Sequence, residues 1–577
     1  MRLCISKSKN ATSLYVIQSF YENGKRSTRV VEKLGTLAEL QQKLGQRDPI
    51  EWAKSYIAEL NQKEKEQSRE VIVKYSPAKM ISKDQQHLFN GGYLFLQQIY
   101  HQLNLHKVSA EISKKYKFSF DLNAILSRLL YGRILFPSSK LATYKHSAKF
   151  IEPVDFELQH VYRALEVIAK EMDSIQSSLY NNSLKISKRN TGVLYYDCTN
   201  YFFEIEQAEG LKQYGASKEH RPSPIIQMGL FMDGDGIPLA FCLNSGNTNE
   251  QITLKPLEQK ILSDFKLSKF VVCTDAGLAS EKNRRFNNEG ERAFITTQSI
   301  KKLKKHLRDW SLDSKGWRLA KHKQAYDIAN LDEELYKDQC FFKERWIKEN
   351  GLEQRLIVTY SIKYKNYQRQ IRNSQIERAQ RLLASNPTKV SKSNQNDYKR
   401  FIKKTSCTSD GEIADKDLYA LNNETIAVEE VYDGFYAVCT NLEGNVQEII
   451  QVNQRRWEIE ECFRIMKSEF KARPVYLSRE DRIKAHFTTC FMSLIIYRFL
   501  EKKLGYKFTC SAIINGLREM NFFEIKNEGF LPTYTRSDFT DAIHEVFGFR
   551  TDYEIVKRSQ MKKILDMTKK QKTLPTL

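Results

Sequence analysis

The chain has 577 residues, room for about four domains of ordinary size, and it is 41% hydrophobic and 11% aromatic. Those values exclude a disordered chain and a small disulfide-stapled scaffold. Lys and Arg number 92 against 70 Asp and Glu, a net charge of +22 that points to a polyanionic partner, nucleic acid first.

Residues 13–17 and 28–31 alternate apolar and polar around Asn23-Gly24-Lys25, which predicts a β-hairpin. A charged helical stretch follows to about residue 72. From 84 to 190 the periodicity is helical, clearest over 122–135 and 160–179. Residues 193–196 read as a buried strand ending at Asp197, and 201–205 as a second. Residues 225–232 are a third, closed by Asp233-Gly234-Asp235-Gly236 and returning into 237–243. A helix over 253–265 precedes a strand, 269–274, that ends at Asp275. A polar helix (280–287) and a strand (293–297) complete the run. The apolar stretch 487–497 is about half the length of a membrane span, so no membrane partner is expected. The N-terminus has no signal-peptide core, and the ten cysteines form no CxxC pair. A reduced, cytoplasmic, nucleoid-associated protein is the expectation.

This order of elements is the layout of an RNase H-like core lacking one helix. The missing piece is expected over 454–471, where Ile459, Cys462, Phe463, Met466 and Phe470 share one apolar stripe. Arg456, Glu460 and Lys467 fall together on the stripe beside it, at offsets of four and seven. Glu461 lies about 100° further round, so Glu460 is the preferred acid. The fold class expected is α/β: an RNase H-like catalytic core interrupted by a mainly β insertion, with helical N-terminal and C-terminal regions. The boundaries are a hairpin-plus-helix region (1–80), a helical region suited to binding DNA ends (81–190), the first half of the core (191–299), a basic insertion (300–448), the second half (449–505) and a helical, dimerising region (506–577).

Two aspartates at neighbouring strand ends and a helical glutamate are what a two-metal phosphodiester site requires. Carboxylate oxygens suit Mg²⁺, with Mn²⁺ able to substitute, whereas His or Cys would favour softer metals. Asp197, Asp275 and Glu460 are therefore the expected catalytic and metal-binding residues.

The chain resembles insertion-sequence DDE transposases of the branch marked by a Tyr-Arg-Glu-Lys signature, the insertion-sequence-four superfamily. The matching residues are Tyr195 to Phe202 around the first acid, Thr274-Asp275-Ala276-Gly277 around the second, and Arg456-Trp457-Glu458-Ile459-Glu460 with Lys467 around the third. Residues 217–222 and 246–250 add to the likeness. The resemblance implies that Asp197, Asp275 and Glu460 hold two Mg²⁺ ions and that Arg456 and Lys467 contact phosphates of the transposon end. The signature tyrosine would stand at position 453, which is Asn453 here. A tryptophan of the insertion stacks on a flipped base in relatives, and Trp310, Trp317 and Trp346 are the candidates. The activity implied is binding of terminal inverted repeats by a homodimer, metal-dependent end cleavage, and joining of the 3′-hydroxyls to target double-stranded DNA. A related structure-selective nuclease or a non-catalytic DNA-binding derivative are the alternatives.

Two further sets of DNA contacts are expected. His220 and Arg221 sit in a polar loop before the third strand. Residues 301–400 carry 24 Lys and Arg against 12 Asp and Glu, and Lys363, Lys365, Arg369 and Arg372 are expected to track phosphates there. His486 is expected to pack or cap rather than act as a base.

Overall fold

A computed structural model of the chain describes every residue except 9–10, 23–24, 46, 68–72, 74–75, 84, 154, 386–396, 408–412 and 571–577. It forms two units: Met1–Gln85 with Ile525–Glu528, and Gln86–Glu524 with Gly529–Leu577.

In the first unit β1 (Arg2–Lys7), β2 (Thr12–Glu22) and β3 (Lys25–Thr36) make an antiparallel sheet in that order. Alternation places Leu14 and Val16 on one buried face. Thr36 and Glu39 form a capping box that starts α1 (Leu37–Leu44), and α2 (Pro49–Gln67) follows. The expected hairpin is present, its Asn23-Gly24 turn lying outside the described residues, as does the end of the helical stretch expected to reach residue 72.

The second unit opens with β4 (Leu88–Asn90), α3 (Tyr93–Gln102), α4 (Leu105–Tyr116), α5 (Leu122–Leu135), α6 (Lys140–His146), α7 (Leu158–Lys170) and α8 (Met172–Ser183). The single helix expected over 160–179 is two. Glu171 leaves helical geometry between them, where its buried carboxylate accepts from the Tyr116 hydroxyl at 2.7 Å and pairs with Lys115.

The central sheet begins with β5 (Val193–Phe202), β6 (Ile225–Asp233) and β7 (Pro238–Ser245), all antiparallel. α9 (Leu254–Asp264), β8 (Val271–Thr274), α10 (Glu281–Phe286) and β9 (Ala293–Thr297) follow, β8 running parallel to both β5 and β9. The two strands expected within 193–205 are one, so Asp197 lies in mid-strand rather than at a strand end. The ladder to β6 is unbroken from Leu194 to Phe202. Asn200, a residue that usually signals a turn, is buried and satisfies its amide on the Ala216 carbonyl at 3.1 Å.

Next come α11 (Lys305–Leu312), β10 (Trp317–Leu319), β11 (Ala325–Tyr326), β12 (Phe341–Glu349) and β13 (Leu352–Tyr360). They are followed by α12 (Ile362–Ser385), β14 (Ile402–Cys407), β15 (Ile413–Leu421), α13 (Asn423–Glu430) and β16 (Phe435–Thr440). Asn350 and Gly351 both have positive φ and turn β12 into β13. This region is not the mainly β insertion expected. It carries a 24-residue helix, α12. Most of its strands also join the central sheet, because β16 pairs with β9 through Val438↔Thr297 and Thr440↔Ile295. The result is one ten-stranded sheet in the order β11-β10-β12-β13-β16-β9-β8-β5-β6-β7.

α14 (Val446–Gln454) and α15 (Trp457–Arg464) return to the core, a π-helical turn spans Ile465–Glu469, and α16 (Glu480–Lys503) runs through the centre. Residues 485–501 of α16 are all buried, which explains the apolar stretch as a core helix. Among the described residues no helix is long and apolar enough to cross a membrane. The C-terminal region, expected to be helical, is mixed: α17 (Cys510–Glu519), β17 (Asn521–Ile525), β18 (Gly529–Pro532), α18 (Asp538–Phe547), β19 (Val556–Lys557) and α19 (Arg558–Lys569). Its strands form a small sheet with β4, in the order β19-β18-β17-β4.

Candidate active site

Parallel pairing of β5 with β8 matches Val193 to Val271, Leu194 to Val272 and Tyr195 to Cys273. Two residues further along each chain stand Asp197 and Asp275, level with one another. Asp197 is half-buried and accepts the Cys198 N–H at 2.7 Å. Burial raises its carboxyl to about 6; Lys218 opposes that rise, Asp275 adds to it, and Arg456 opposes it again. Asp275 accepts the Leu278 N–H at 3.0 Å and so fixes the turn after β8.

The buried Asn200 also pins a loop beside Asp197. Its Nδ2 donates to Ala216 and its Oδ1 accepts the Lys218 N–H at 3.4 Å. Ser217 Oγ accepts the N–H groups of Glu219 and Arg221, which tightens the turn. Lys218 Nζ then donates to the Cys198 carbonyl at 2.6 Å and pairs with Glu250 at 3.1 Å. Glu219 pairs with Lys467 at 3.8 Å and with Arg473. Arg221 lies over the Phe202 ring at 4.3 Å, and His220 is exposed with φ of 54°.

The helix expected over 454–471 is broken. α14 ends at Gln454, Arg455 and Arg456 make a turn, and α15 gives way to the π turn at Ile465. Ile459, Cys462, Phe463, Met466 and Phe470 are buried, as their stripe predicts. The wider π turn changes the azimuth of Lys467, so an ideal 3.6-residue wheel does not place it. Its Nζ donates to Thr199 Oγ1 at 2.6 Å, and burial pushes its ammonium down to about 8. Arg456 Nη1 donates to Thr297 Oγ1 at 3.2 Å, while its buried Nε has no partner among the described residues. Asn453 is buried and donates to the Tyr436 hydroxyl at 2.9 Å.

The carboxylates of α15 have separate fates. Glu458 is buried against Arg455 (2.9 Å) and Arg498 (3.6 Å), and Glu461 pairs with Arg464. Glu460 is exposed and has no hydrogen bond or ion pair among the described residues. It lines a cleft of about 670 Å³ with Lys363, Tyr364, Tyr436, Arg456 and Trp457. Among the described residues no group of three His, Cys, Asp or Glu closes around a point where a metal could sit. The structure thus brings the two aspartates together and leaves Glu460 in the adjoining cleft.

The sequence profile of the transposase DDE domain matches residues 202–496. The chain belongs to the DDE transposase family. Asp275, Glu460, Arg456 and Lys467 fall inside the matched span, and Asp197 lies five residues before it. No curated protein matches the chain. Among solved structures the chain is similar to a cryo-EM structure of the piggyBac transposase synaptic complex with hairpin DNA. That likeness has 8% identity and a TM-score of 0.35 over 82% of this chain and 84% of that one, too remote to define the fold.

The basic residues picked from the insertion of this transposase are mostly engaged elsewhere. Arg372 is buried and holds Asp433 through two contacts of 2.7 Å. Lys365 pairs with Glu333 at 2.8 Å and Arg369 with Asp433 at 3.7 Å. Lys365 and Arg372 tie α12 to its surroundings, while Arg369 stays half exposed; the expectation of a phosphate track is corrected for Arg372, which is buried. Lys363 alone of the four is exposed at the Glu460 cleft. Trp317 is fully buried, Trp310 lies beneath Lys343 and Arg345, and Trp346 is 44% exposed. His486 is buried against the Ala472 carbonyl, and burial holds it well below the usual histidine range, as expected of a packing residue. Lys218, Glu250, Thr199, Thr297 and Tyr436 escaped sequence reasoning as site residues. The signal for the first two was the pair of family-like stretches, 217–222 and 246–250, which the fold brings together.

Proposed function

We propose that this chain is an insertion-sequence transposase with an RNase H-like core. It binds the terminal inverted repeats of its element as a dimer, hydrolyses one strand at each end and joins the freed 3′-hydroxyls to target DNA. The observation that carries this reading is the placement of Asp197 on β5 and of Asp275 just past the end of the adjacent parallel strand β8, each two residues beyond the Tyr195–Cys273 pair. Glu460 stands in the next cleft, and none of the three acids is engaged by a salt bridge among the described residues. The strand order β7-β6-β5-β8-β9, three antiparallel strands continued by two parallel ones, supports the core assignment.

The donor set fits Mg²⁺. All three groups are carboxylates, and Mg²⁺ is usually held by one or two carboxylates completed by water and substrate phosphate rather than by a closed protein cage. Bound there, two such ions would supply Lewis acidity to the attacking and leaving oxygens. The chain's own part is to hold the phosphodiester against them. The orphaned Arg456 Nε is a buried donor that a phosphate oxygen satisfies, and Lys467 exchanges the Thr199 hydroxyl for phosphate. The Tyr436 hydroxyl, bonded to Asn453 and Thr297, puts a phenol beside position 453, where the family signature has a tyrosine.

The test uses duplex DNA ending in the repeats that flank the gene, with Mg²⁺. Asp197→Asn, Asp275→Asn and Glu460→Gln each reduce cleavage to background and retain DNA binding. Full cleavage by any one of them removes that residue from the site. Cleavage by the wild type without joining would identify a nuclease instead.

A further inference from the structure

Lys218 sits against β5 at the residue after the first acid, and no role has yet been given to it. Its ammonium donates to the carbonyl of Cys198, the residue after the first acid, at 2.6 Å, and faces Glu250 at 3.1 Å. Its loop is fixed to β5 from both sides by Asn200. The Lys218 and Glu250 side chains keep 43% and 30% of their exposure, so an incoming anion reaches the ammonium. A neutral carbonyl is its shortest contact, and a phosphate oxygen is the stronger acceptor. Lys467 approaches the same stretch of β5 at Thr199, one residue further on.

We propose that Lys218 is a phosphate-binding residue of the site and that Glu250 is its positioning residue. Lys218 grips the phosphodiester beside Asp197. Glu250 restrains the flexible four-carbon stem so that the charge is already in place when DNA arrives. Lys218 and Lys467 then bracket the strand that crosses β5. This rests on the transposase reading above.

The test compares wild type, Lys218→Gln, Lys218→Arg and Glu250→Gln on end duplexes in which single phosphates at and next to the cut are replaced by uncharged methylphosphonate. Binding is measured without metal over a range of salt, and cleavage with Mg²⁺. Lys218→Gln is expected to flatten the salt slope by about 0.9, the value of one lost phosphate contact. It also lowers cleavage kcat/KM by about tenfold, a loss that methylphosphonate at one position does not increase. Lys218→Arg keeps most of the slope, and Glu250→Gln changes slope and kcat/KM in the same direction by less. An unchanged slope in Lys218→Gln, or losses that add at every phosphate, overturns the proposal. If Lys218→Gln does not fold, the near-isosteric Lys218→Met takes its place, and an unchanged salt slope in that chain overturns the proposal equally. A wild-type chain that neither binds nor cuts the duplex overturns the transposase reading instead.

Discussion

Around Asp197, Lys218, Arg456 and Lys467 each make their shortest contact with a neutral oxygen: the Cys198 carbonyl and the hydroxyls of Thr297 and Thr199, at 2.6, 3.2 and 2.6 Å. Along α12, Lys365 and Arg372 make theirs with carboxylates, at 2.8 and 2.7 Å, and Arg369 reaches one as well. The residue types are the same and the consequence is opposite. A cation resting on a hydroxyl exchanges it for phosphate at little cost, whereas Arg372, locked to the buried Asp433, would leave that charge uncompensated. Arg372 therefore offers DNA little charge, although it lies in the stretch of sequence richest in basic residues.

The largest effect that bears on this contrast is on stability. Asp433→Ala removes the buried partner of Arg372, leaving it the 3.4 Å contact with exposed Glu430, and is expected to cost about 3–5 kcal/mol, read from denaturant unfolding, with the salt slope of DNA binding unchanged. A flattened slope would break the contrast. Asp197→Asn sharpens it from the other side. The folded carboxyl sits at about 6, above its ordinary 3.8, so the native state binds the proton more tightly than the unfolded chain. That raised value costs stability increasingly from pH 3.8 to about 6 and by a constant amount above. The Asn variant is thus expected to be more stable than wild type at pH 7, by at most about 2–3 kcal/mol, with the advantage gone near pH 4. Thermal unfolding at both pH values decides it. Next is Arg456→Gln, expected to flatten the salt slope by about 0.9 and weaken end binding by roughly tenfold without moving the unfolding transition. Smallest is Glu461→Gln. Its partner Arg464 is exposed, so cleavage stays within about twofold of wild type.

Much of the core was legible because its signals are local. Asp197 and Asp275 follow apolar runs that can only be strands, and the buried stripe of α15 is a matter of helical period. What escaped depends on partners distant in sequence. Asn200 reads as a turn until Ala216 satisfies it. Glu171 breaks a helix because Lys115 and Tyr116 lie nearby in space. The cations of α12 read as free because Asp433 and Glu333 are contributed by other elements. The union of the insertion with the core sheet rests on β16 meeting β9, a pairing across about 140 residues that no local pattern announces. The π turn that sets Lys467 was hidden by the assumption of an ideal helix.

That long pairing has a consequence in time. Asp275 is made about 185 residues before Glu460, and the last strand between them, β16, must still find its place beside β9. At ordinary translation rates of about 5–20 residues per second, the delay is roughly ten to forty seconds. Throughout that interval the emerging polypeptide has two of its three acids and an open sheet edge. On the proposed triad, such a chain lacks its third acid and cannot yet cut DNA.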